Sequence, residues 1–135
     1  RGSLELVGEL VERTPDAFQV LIGSGAVLYG GLEVGAVGGI LSVANLAAGP
    51  AAAIHTAFKA GDSAEAGRNQ EAVAAVHTEI VAALGVPGVK MGLDLIGLQG
   101  GDPRPPLGPL PDGKGEDVAR VLHRAGFEAV ETPSI

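Results

Sequence analysis

The sequence predicts an α/β fold organised around one strand–helix–strand unit near its amino-terminal end. Two short apolar runs, residues 18–22 and 39–43, are separated by about one helix of sequence. Neither run alternates apolar with polar residues, which is the pattern of parallel strands buried on both faces. Elsewhere the apolar residues mostly recur at helical spacing. We therefore expect a pair of parallel strands followed mainly by helices.

Composition and charge limit the class of protein. The chain has 135 residues, is 46% hydrophobic, and has a formal net charge of −7. That charge repels phosphate backbones, so we do not expect nucleic-acid binding. Cysteine is absent, so there is no disulfide framework and no thiolate zinc site. Alanine, valine, leucine and glycine dominate the apolar content, and such small side chains fill a core poorly when the chain stands alone.

One uncharged span raises the question of a membrane helix. It covers residues 34–54, between Glu33 and His55. Repeated glycines and Pro50 interrupt it, so a strand followed by a loop explains it better and we expect no membrane partner. No targeting signal is recognised, and the expected location is cytoplasmic. The first three residues could be native or the remnant of a tag.

The amino-terminal half alternates helices and strands. Ser3 is a candidate N-cap for an amphipathic helix that ends before Pro15. The first strand ends at a tight turn formed by residues 23–25, and a short helix over 26–33 follows. After the second strand and a loop over 45–50, Pro50 suits the first turn of a further helix that Gly61 ends.

The carboxy-terminal half is predicted to be helical. Asp62 and Glu65 have the spacing of a capping box at the start of a long helix. Gly85, Pro87 and Gly88 are expected to break that helix, and a further helix is predicted over 89–98. Residues 100–111 contain too many glycines and prolines for regular structure, and a last helix is predicted over 116–125.

Two strands make no stable sheet of their own, so this element order indicates part of a larger assembly. The last strands of a (β/α)8 barrel, followed by a carboxy-terminal helical extension, fit the order well, and sites in such barrels lie on the loops after the strands. We assign residues 1–60 to the barrel part and 61–135 to the helical region. A doubly wound sheet is the alternative. It is less favoured, because residues 23–28 lack the last glycine of G-x-G-x-x-G.

Several motifs in the chain occur together in one known family. They read FQVLIGSG, GAVGGILSVAN, FKAGD and GVPGVKMGLDLIGLQGGDPRPPLGPL, in that order. This combination resembles the carboxy-terminal part of the dihydrodipicolinate synthase and N-acetylneuraminate lyase superfamily, which are class I aldolases on a (β/α)8 barrel. Residues 18–23 and the AVGGILSVANL phrase look closest to the 4-hydroxy-2-oxoglutarate aldolase branch. The resemblance extends over essentially the whole chain.

The resemblance implies Schiff-base chemistry on pyruvate or a related 2-oxo acid. The family's lysine lies in a K-D-x-x-G motif, of which Gly2 matches the closing glycine, so the lysine is expected before Arg1. The proton-shuttling tyrosine and the carboxylate-binding Thr/Ser pair are expected further upstream. Without a desolvated lysine and a placed acid or base, the chain alone is expected to be inactive. No catalytic residue is therefore assigned within it, and no cofactor is expected.

Two positions match the family's substrate contacts. Gly23, at the end of the first strand, matches a glycine near the bound keto acid, and Ile40 matches a residue whose backbone faces the pyruvate moiety. Ser24 replaces an acidic residue that many synthase members carry, which puts the lysine-precursor synthase specificity in doubt. From the residues alone, Gly23 is a turn glycine and Ile40 is a core residue.

The remaining candidate side chains are expected to be structural. His55, His77 and His123 fall in predicted helices without neighbours at metal-ligand spacing, so surface or interface roles are expected and no metal site is assigned. Lys59 and Lys90 are rejected as Schiff-base residues, since Lys59 lies at a helix end and Lys90 lies in a helical family motif.

Two hypotheses about function remain open. The chain is either part of a class I aldolase or lyase with Gly23 and Ile40 lining the pocket, or a non-catalytic structural or assembly fragment of that fold. The resemblance implies a homo-oligomer, and the missing lysine implies a complementary N-terminal segment. Exposed edges of the strand pair predict poor solubility for the chain alone.

Overall fold

The computed structural model describes residues 3–127. The chain begins with α1 (Leu4–Arg13), whose cap is formed as predicted: the Leu6 N–H donates to Ser3 Oγ at 3.3 Å. The predictions for Gly2 and for residues 128–135 lie outside the described residues.

The two predicted strands pair in parallel, but the regular ladder is shorter than expected. Strand β1 is Leu21–Ile22 and β2 is Gly38–Gly39, with Leu21 opposite Gly38 and Ile22 opposite Gly39. Hydrogen bonds from Val37 N to Val20 O and from Ile40 N to Ile22 O extend the pairing at both ends. The second apolar run was predicted as strand through residue 43, and this is wrong from Ser42 on, because Ser42–Asn45 forms a 3-10 turn.

The segment between the strands is a 3-10 turn, Gly25–Val27, that leads into α2 (Leu28–Glu33). Two glycines allow this segment to pack closely against its neighbours. A Cβ on Gly25 would lie 2.3 Å from Val43 Cγ1, and one on Gly31 would lie 2.6 Å from Ile22 Cδ1. A side chain at Gly25 would collide with the 3-10 turn Ser42–Asn45, and one at Gly31 would collide with β1, so either would disturb this packing.

Helix α3 (Ala48–Ala60) and helix α4 (Ser63–Val76) follow, joined at Gly61. Gly61 adopts a φ of 74°, in the left-handed region that glycine tolerates, and ends α3 as predicted. The Asp62 side chain accepts from Glu65 N at 2.9 Å, so the predicted cap of α4 is also present.

Helix α4 leads to the break that the sequence predicts. It continues through a π-helical segment, His77–Ala82, into α5 (Ala83–Leu95). The break predicted at 85–88 is a kink at Gly85 (φ 63°, ψ −152°), after which the helix resumes. Pro87 is tolerated there because it lies in the first turn after the kink, where its missing N–H breaks no helical hydrogen bond. Helix α5 ends at Leu95, three residues before the predicted end.

Residues 100–111 contain turns but no helix or strand, as expected, and α6 (Lys114–Arg124) follows. The last turn of α6 contains His123 and Arg124, and Gly126 has a φ of 85° directly after it. The core is one cluster that draws on both predicted regions, and the largest fully buried side chains are Ile22, Val43, Ile54, Val73, Val76, Ile80, Val118 and Leu122. The division at residue 60 remains a prediction.

One helical stretch of the described residues, Ser63–Leu95, is long and apolar enough to cross a membrane by length and composition. This is weak evidence, since core helices of globular proteins meet the same criteria. Val73, Val76 and Ile80 on this stretch are fully buried against the rest of the chain. The uncharged span at 34–54, whose length raised the question of a membrane helix, is divided among β2, the 3-10 turn Ser42–Asn45 and part of α3.

Candidate functional site

The candidate site lies at the carboxyl ends of β1 and β2. Because Ile22 is opposite Gly39 in a parallel register, the next positions, Gly23 and Ile40, are neighbours across the ladder. Paired strands are about 4.8 Å apart, so two residues 17 positions apart in the chain meet at one edge. The structure thus brings together both residues that the sequence assigned to substrate.

Gly23 faces open space. A Cβ built on it would have no heavy atom within 4 Å from any described residue other than its two chain neighbours, and the residue is exposed. Gly23 is therefore not required by close packing, in contrast to Gly25 two residues later, where a Cβ would collide with Val43. Packing within the described residues thus requires glycine at position 25 but not at position 23.

Ile40 is 77% exposed, so the expectation of a core residue is wrong for the described part of the chain. Its side chain lies past the last ladder position, where no described element covers it. The Ile40 N–H donates to Ile22 O at 3.0 Å. The backbone group of Ile40 with which a ligand can hydrogen-bond is therefore its carbonyl oxygen, an acceptor.

Ser24 is linked to the helical region. Its Oγ lies 3.3 Å from Nε2 of His77, the first residue of the π segment, and the contact is partly buried. The turn that follows β1 is thereby tied to a residue 53 positions further along the chain. We expected His77 to lie at the surface or at an interface, but this contact is partly buried and joins two parts of the same chain.

The surroundings of His77 are poor in polar partners. Within the described residues, its Nδ1 is buried and has no hydrogen-bond partner. Burial lowers the pKa of His77 below its usual 6.5, because the charged form loses hydration. Burial thus favours the neutral form of the imidazole.

Gln70 holds the same turn from α4. Its Oε1 accepts from Tyr29 N at 2.7 Å, and its Nε2 donates to Gly25 O at 2.8 Å. One side chain thus satisfies a backbone group at the start of the 3-10 turn and another in the first turn of α2. Gln70 was not singled out from the sequence, and His77 was assigned a surface or interface role. A signal existed, since both residues lie at helical spacing with Ala66 and Val73, which are fully buried, and are therefore polar positions on an apolar stripe.

Lys90 is engaged in a structural contact. Its Nζ donates to Gly100 O at 2.6 Å, and Gly100 N donates to Asp94 Oδ1 at 2.7 Å, so one turn of α5 holds the start of the proline-rich segment. Lys59 is exposed in the last turn of α3. Neither lysine lies at the carboxyl ends of the strands.

A cleft opens between the 3-10 turn Ser42–Asn45 and α5. It has a volume of about 430 Å³ and is lined by Ser42, Asn45, the kink at Gly85 and one side of α5 including Lys90. Asn45 Nδ2 donates to Ser42 O at 3.0 Å and so closes the 3-10 turn that forms one wall. Among residues 3–127, no group of three histidine or acidic side chains is placed to hold a metal ion.

Comparison with known proteins identifies relatives along nearly the whole chain. The model of the Dihydrodipicolinate synthetase family matches residues 1–125. A 4-hydroxy-tetrahydrodipicolinate synthase from Methanopyrus kandleri is 30% identical over 126 residues, which cover 93% of this chain and 42% of that protein. The chain thus spans less than half the length of such relatives.

Solved structures agree with this match. The 4-hydroxy-tetrahydrodipicolinate synthase from Methylacidiphilum fumariolicum SolV superposes with a TM-score of 0.82 at 31% identity, covering 93% of this chain and 42% of that one. The N-acetylneuraminate lyase, a sialic acid aldolase, from Aliivibrio salmonicida gives 0.77 at 28% identity, covering 94% and 42%. These neighbours are (β/α)8 barrel proteins, and the described helices and two strands form part of that fold. The chain belongs to the Dihydrodipicolinate synthetase family.

Proposed function

We propose that the chain is the carboxy-terminal part of a Schiff-base-forming class I aldolase or lyase that acts on pyruvate or a related 2-oxo acid. The observation that carries the proposal is the meeting of Gly23 and Ile40 at the carboxyl ends of two parallel strands, in a chain whose family match covers residues 1–125. In (β/α)8 barrels, this end of the strands is where catalysis takes place. The reactive lysine lies upstream of Arg1 in this proposal.

Gly23 and Ile40 have complementary roles in the proposed site. Gly23 leaves room for the keto acid, since no atom of any described residue other than its two chain neighbours lies within 4 Å of its Cβ position. Ile40 offers its carbonyl oxygen, because its N–H already bonds to Ile22. A hydrogen-bond acceptor here orients a donor group on the ligand beside the Schiff base.

We propose that the protein belongs to the 4-hydroxy-2-oxoglutarate aldolase branch of the family. The alternative is a dihydrodipicolinate synthase-like activity. The sequence around β1 and β2 supports the first, as does Ser24 in place of an acidic residue. A cleavage reaction would release pyruvate, and a synthase reaction would consume it. The two are therefore distinguished by the direction in which pyruvate changes.

We also propose that a complementary N-terminal segment completes the fold, that the protein associates with itself, and that it is located in the cytoplasm. The apolar side chains at and beside the ladder support the first two proposals: Phe18 is 61% exposed and Leu21 is 48% exposed, in addition to Ile40. Such a cluster beside unpaired strand edges favours further protein on this surface.

The test is to trap the Schiff base. The protein at its natural length is incubated with pyruvate, reduced with borohydride, digested and analysed by mass spectrometry. We expect an adduct on a lysine outside the printed chain and none on Lys59 or Lys90. A Lys90→Met variant serves as the control. It should trap pyruvate normally, because Lys90 Nζ donates a structural hydrogen bond to Gly100 O and takes no part in the proposed reaction.

Two results would overturn the proposal. An adduct on Lys59 or Lys90 would move the chemistry to another site. Absence of any adduct from folded protein would favour the second hypothesis, a non-catalytic structural or assembly role.

A further inference from the structure

The contact between Ser24 and His77 is not explained by packing alone. Ser24 directly follows Gly23, so it belongs to the turn that borders the proposed ligand space, whereas His77 comes from the helical region. His77 also begins the π segment, and π-helical turns inserted in α-helices occur often at functional sites. The role that we assign to His77 deepens the proposed function and rests on it, because the ligand is the 2-oxo acid proposed there.

The hydrogen-bond partners assign the tautomer of His77. If Nδ1 carried the proton, a buried N–H donor would lack an acceptor within the described residues, which costs about 1–3 kcal/mol. If Nε2 carries it, the unpaired atom is an acceptor, and unpaired acceptors are less rare in proteins than unpaired donors. The Nε2–H tautomer is therefore favoured, with Nε2 donating to Ser24 Oγ.

We infer that His77 is a positioning residue, whose Nε2–H donates to Ser24 Oγ and so leaves the Ser24 hydroxyl proton to donate to an acceptor oxygen of the ligand. A hydroxyl has one donor and two acceptor sites, and this contact occupies one acceptor site. The opposite tautomer would consume the hydroxyl proton and leave Ser24 only as an acceptor. His77 thus sets the hydrogen-bonding polarity of the position next to Gly23.

This polarity has a consequence for the choice of ligand. A carboxylate at this position, as the resemblance implies for many synthase members, only accepts hydrogen bonds when ionised. Ser24 held by His77 donates instead, which suits a carboxylate or carbonyl oxygen on the ligand. The inferred ligand is therefore a 2-oxo acid with a second acceptor group at this end.

The first test reads the tautomer directly and needs no activity. Histidines are labelled with 15N in the protein at its natural length, and long-range 1H–15N correlation spectra are recorded at pH 7.5. The His77 signals are assigned by their loss in His77→Gln. We expect the Nε2–H form for His77, and a shift toward the mixture of tautomers typical of a free imidazole in Ser24→Ala. The Nδ1–H form in the wild type would overturn the inference.

The second test measures cleavage of 4-hydroxy-2-oxoglutarate by pyruvate release. We expect Ser24→Ala and His77→Leu each to raise KM about tenfold with little change in kcat, since each removes one directed hydrogen bond. The double variant should be no worse than either single variant, because His77 acts through Ser24. His77→Gln, whose amide can donate from a position close to Nε2, should recover most of the KM, and His123→Leu on the exposed face of α6 serves as the control.

The outcomes separate the two proposals. Additive effects on KM, or equal loss of kcat in His77→Leu and His77→Gln, would overturn the positioning role. A wild type that shows the Nε2–H tautomer but cleaves no substrate would overturn the proposed substrate and leave the hydrogen-bond arrangement intact. If His77→Leu fails to fold, Ser24→Ala and His77→Gln decide the question.

Discussion

Gln70 makes two side-chain hydrogen bonds to backbone groups in and next to the 3-10 turn after β1. Gln70 satisfies a backbone acceptor at Gly25, in the 3-10 turn, and a backbone donor at Tyr29, in the first turn of α2, at 2.8 and 2.7 Å. A side-chain amide suits this role because it has both a donor and an acceptor on one planar group. The 3-10 turn that directly follows Gly23 and Ser24 is therefore held by a residue of α4.

Replacing Gln70 tests this dependence. Gln70→Leu leaves both backbone groups without their partner, and we expect the free energy of unfolding to fall by about 1–3 kcal/mol. Gln70→Glu retains an acceptor for Tyr29 N and should lose less at low pH, where its carboxyl can also donate to Gly25 O. Urea denaturation measures the change, with exposed Gln99→Leu as the control. Equal stability of the Gln70→Leu and control variants would contradict the proposed role of Gln70.

His77 predicts a pH dependence of stability. Burial holds its pKa below the usual 6.5, so the unfolded chain binds a proton at a higher pH than the folded chain does. The stability from the neutral imidazole is complete above about pH 6.5 and is lost as the pH falls toward the lower folded pKa. Urea midpoints between pH 8 and pH 5 should show this loss in the wild type and a smaller one in His77→Gln. Parallel curves for the two proteins would exclude His77 as the cause.

Caps and turns could be predicted residue by residue because they depend on local sequence. Ser3 and Asp62 bond to groups three residues away, and Gly61 ends its helix through its own φ angle. The partners of Gln70 and His77 are 41 to 53 positions away, so no local pattern identifies them. The family resemblance supplied Gly23 and Ile40, which the local pattern alone assigned to a turn and to the core.

Among the secondary-structure elements, helix α5 and the proline-rich segment form one unit. Lys90 and Asp94 lie one turn apart on α5 and bond to the carbonyl and the N–H of Gly100. The segment approaches so closely that a Cβ on Gly100 would lie 2.0 Å from Lys90 O. Only glycine fits this contact without displacement of the segment.

Gly100→Ala should therefore detach the start of the segment. We expect a loss of about 1–3 kcal/mol in the free energy of unfolding, because a methyl group cannot share the space of a backbone oxygen. Gly108→Ala is the matched control, since a Cβ there meets no described atom within 4 Å. Thermal unfolding compares the two, and faster proteolysis between residues 100 and 111 in Gly100→Ala alone would report the detachment. Similar behaviour of both variants would refute the contact.

The order of the elements was predictable, whereas their lengths were less so. Apolar spacing identified the helices because each buries one stripe of side chains, a pattern that repeats along the sequence. The ladder is short because the apolar run after β2 leaves the strand at Ser42 and forms the 3-10 turn Ser42–Asn45, which precedes α3. The π segment was not predicted, because its sequence, HTEIVA, continues the helical pattern of α4.

For the molecule as a whole, the apolar surface at the strand pair predicts association. Ile40 at 77% and Phe18 at 61% are among the most exposed large apolar side chains of the described chain. Apolar side chains beside unpaired strand edges promote contact with other chains.

The printed chain, prepared alone, should therefore associate with itself. We expect sedimentation velocity to show concentration-dependent species, which Ile40→Glu and Phe18→Glu reduce. Leu98→Glu, at a side chain that is 58% exposed beyond the end of α5, serves as the control. A monomer at every concentration, or an equal effect of all three variants, would contradict the assignment of self-association to the surface at the strand pair.

Tyr29 gives the molecule a built-in optical reporter. It is the one tyrosine of the sequence, which has no tryptophan, so intrinsic fluorescence comes almost entirely from this ring. The ring meets Phe58 edge to face at 6.3 Å, and the Tyr29 N–H is the group that Gln70 accepts from. Emission intensity and near-ultraviolet circular dichroism therefore record the contact between α2 and α3 and the state of the turn before it, without any added label.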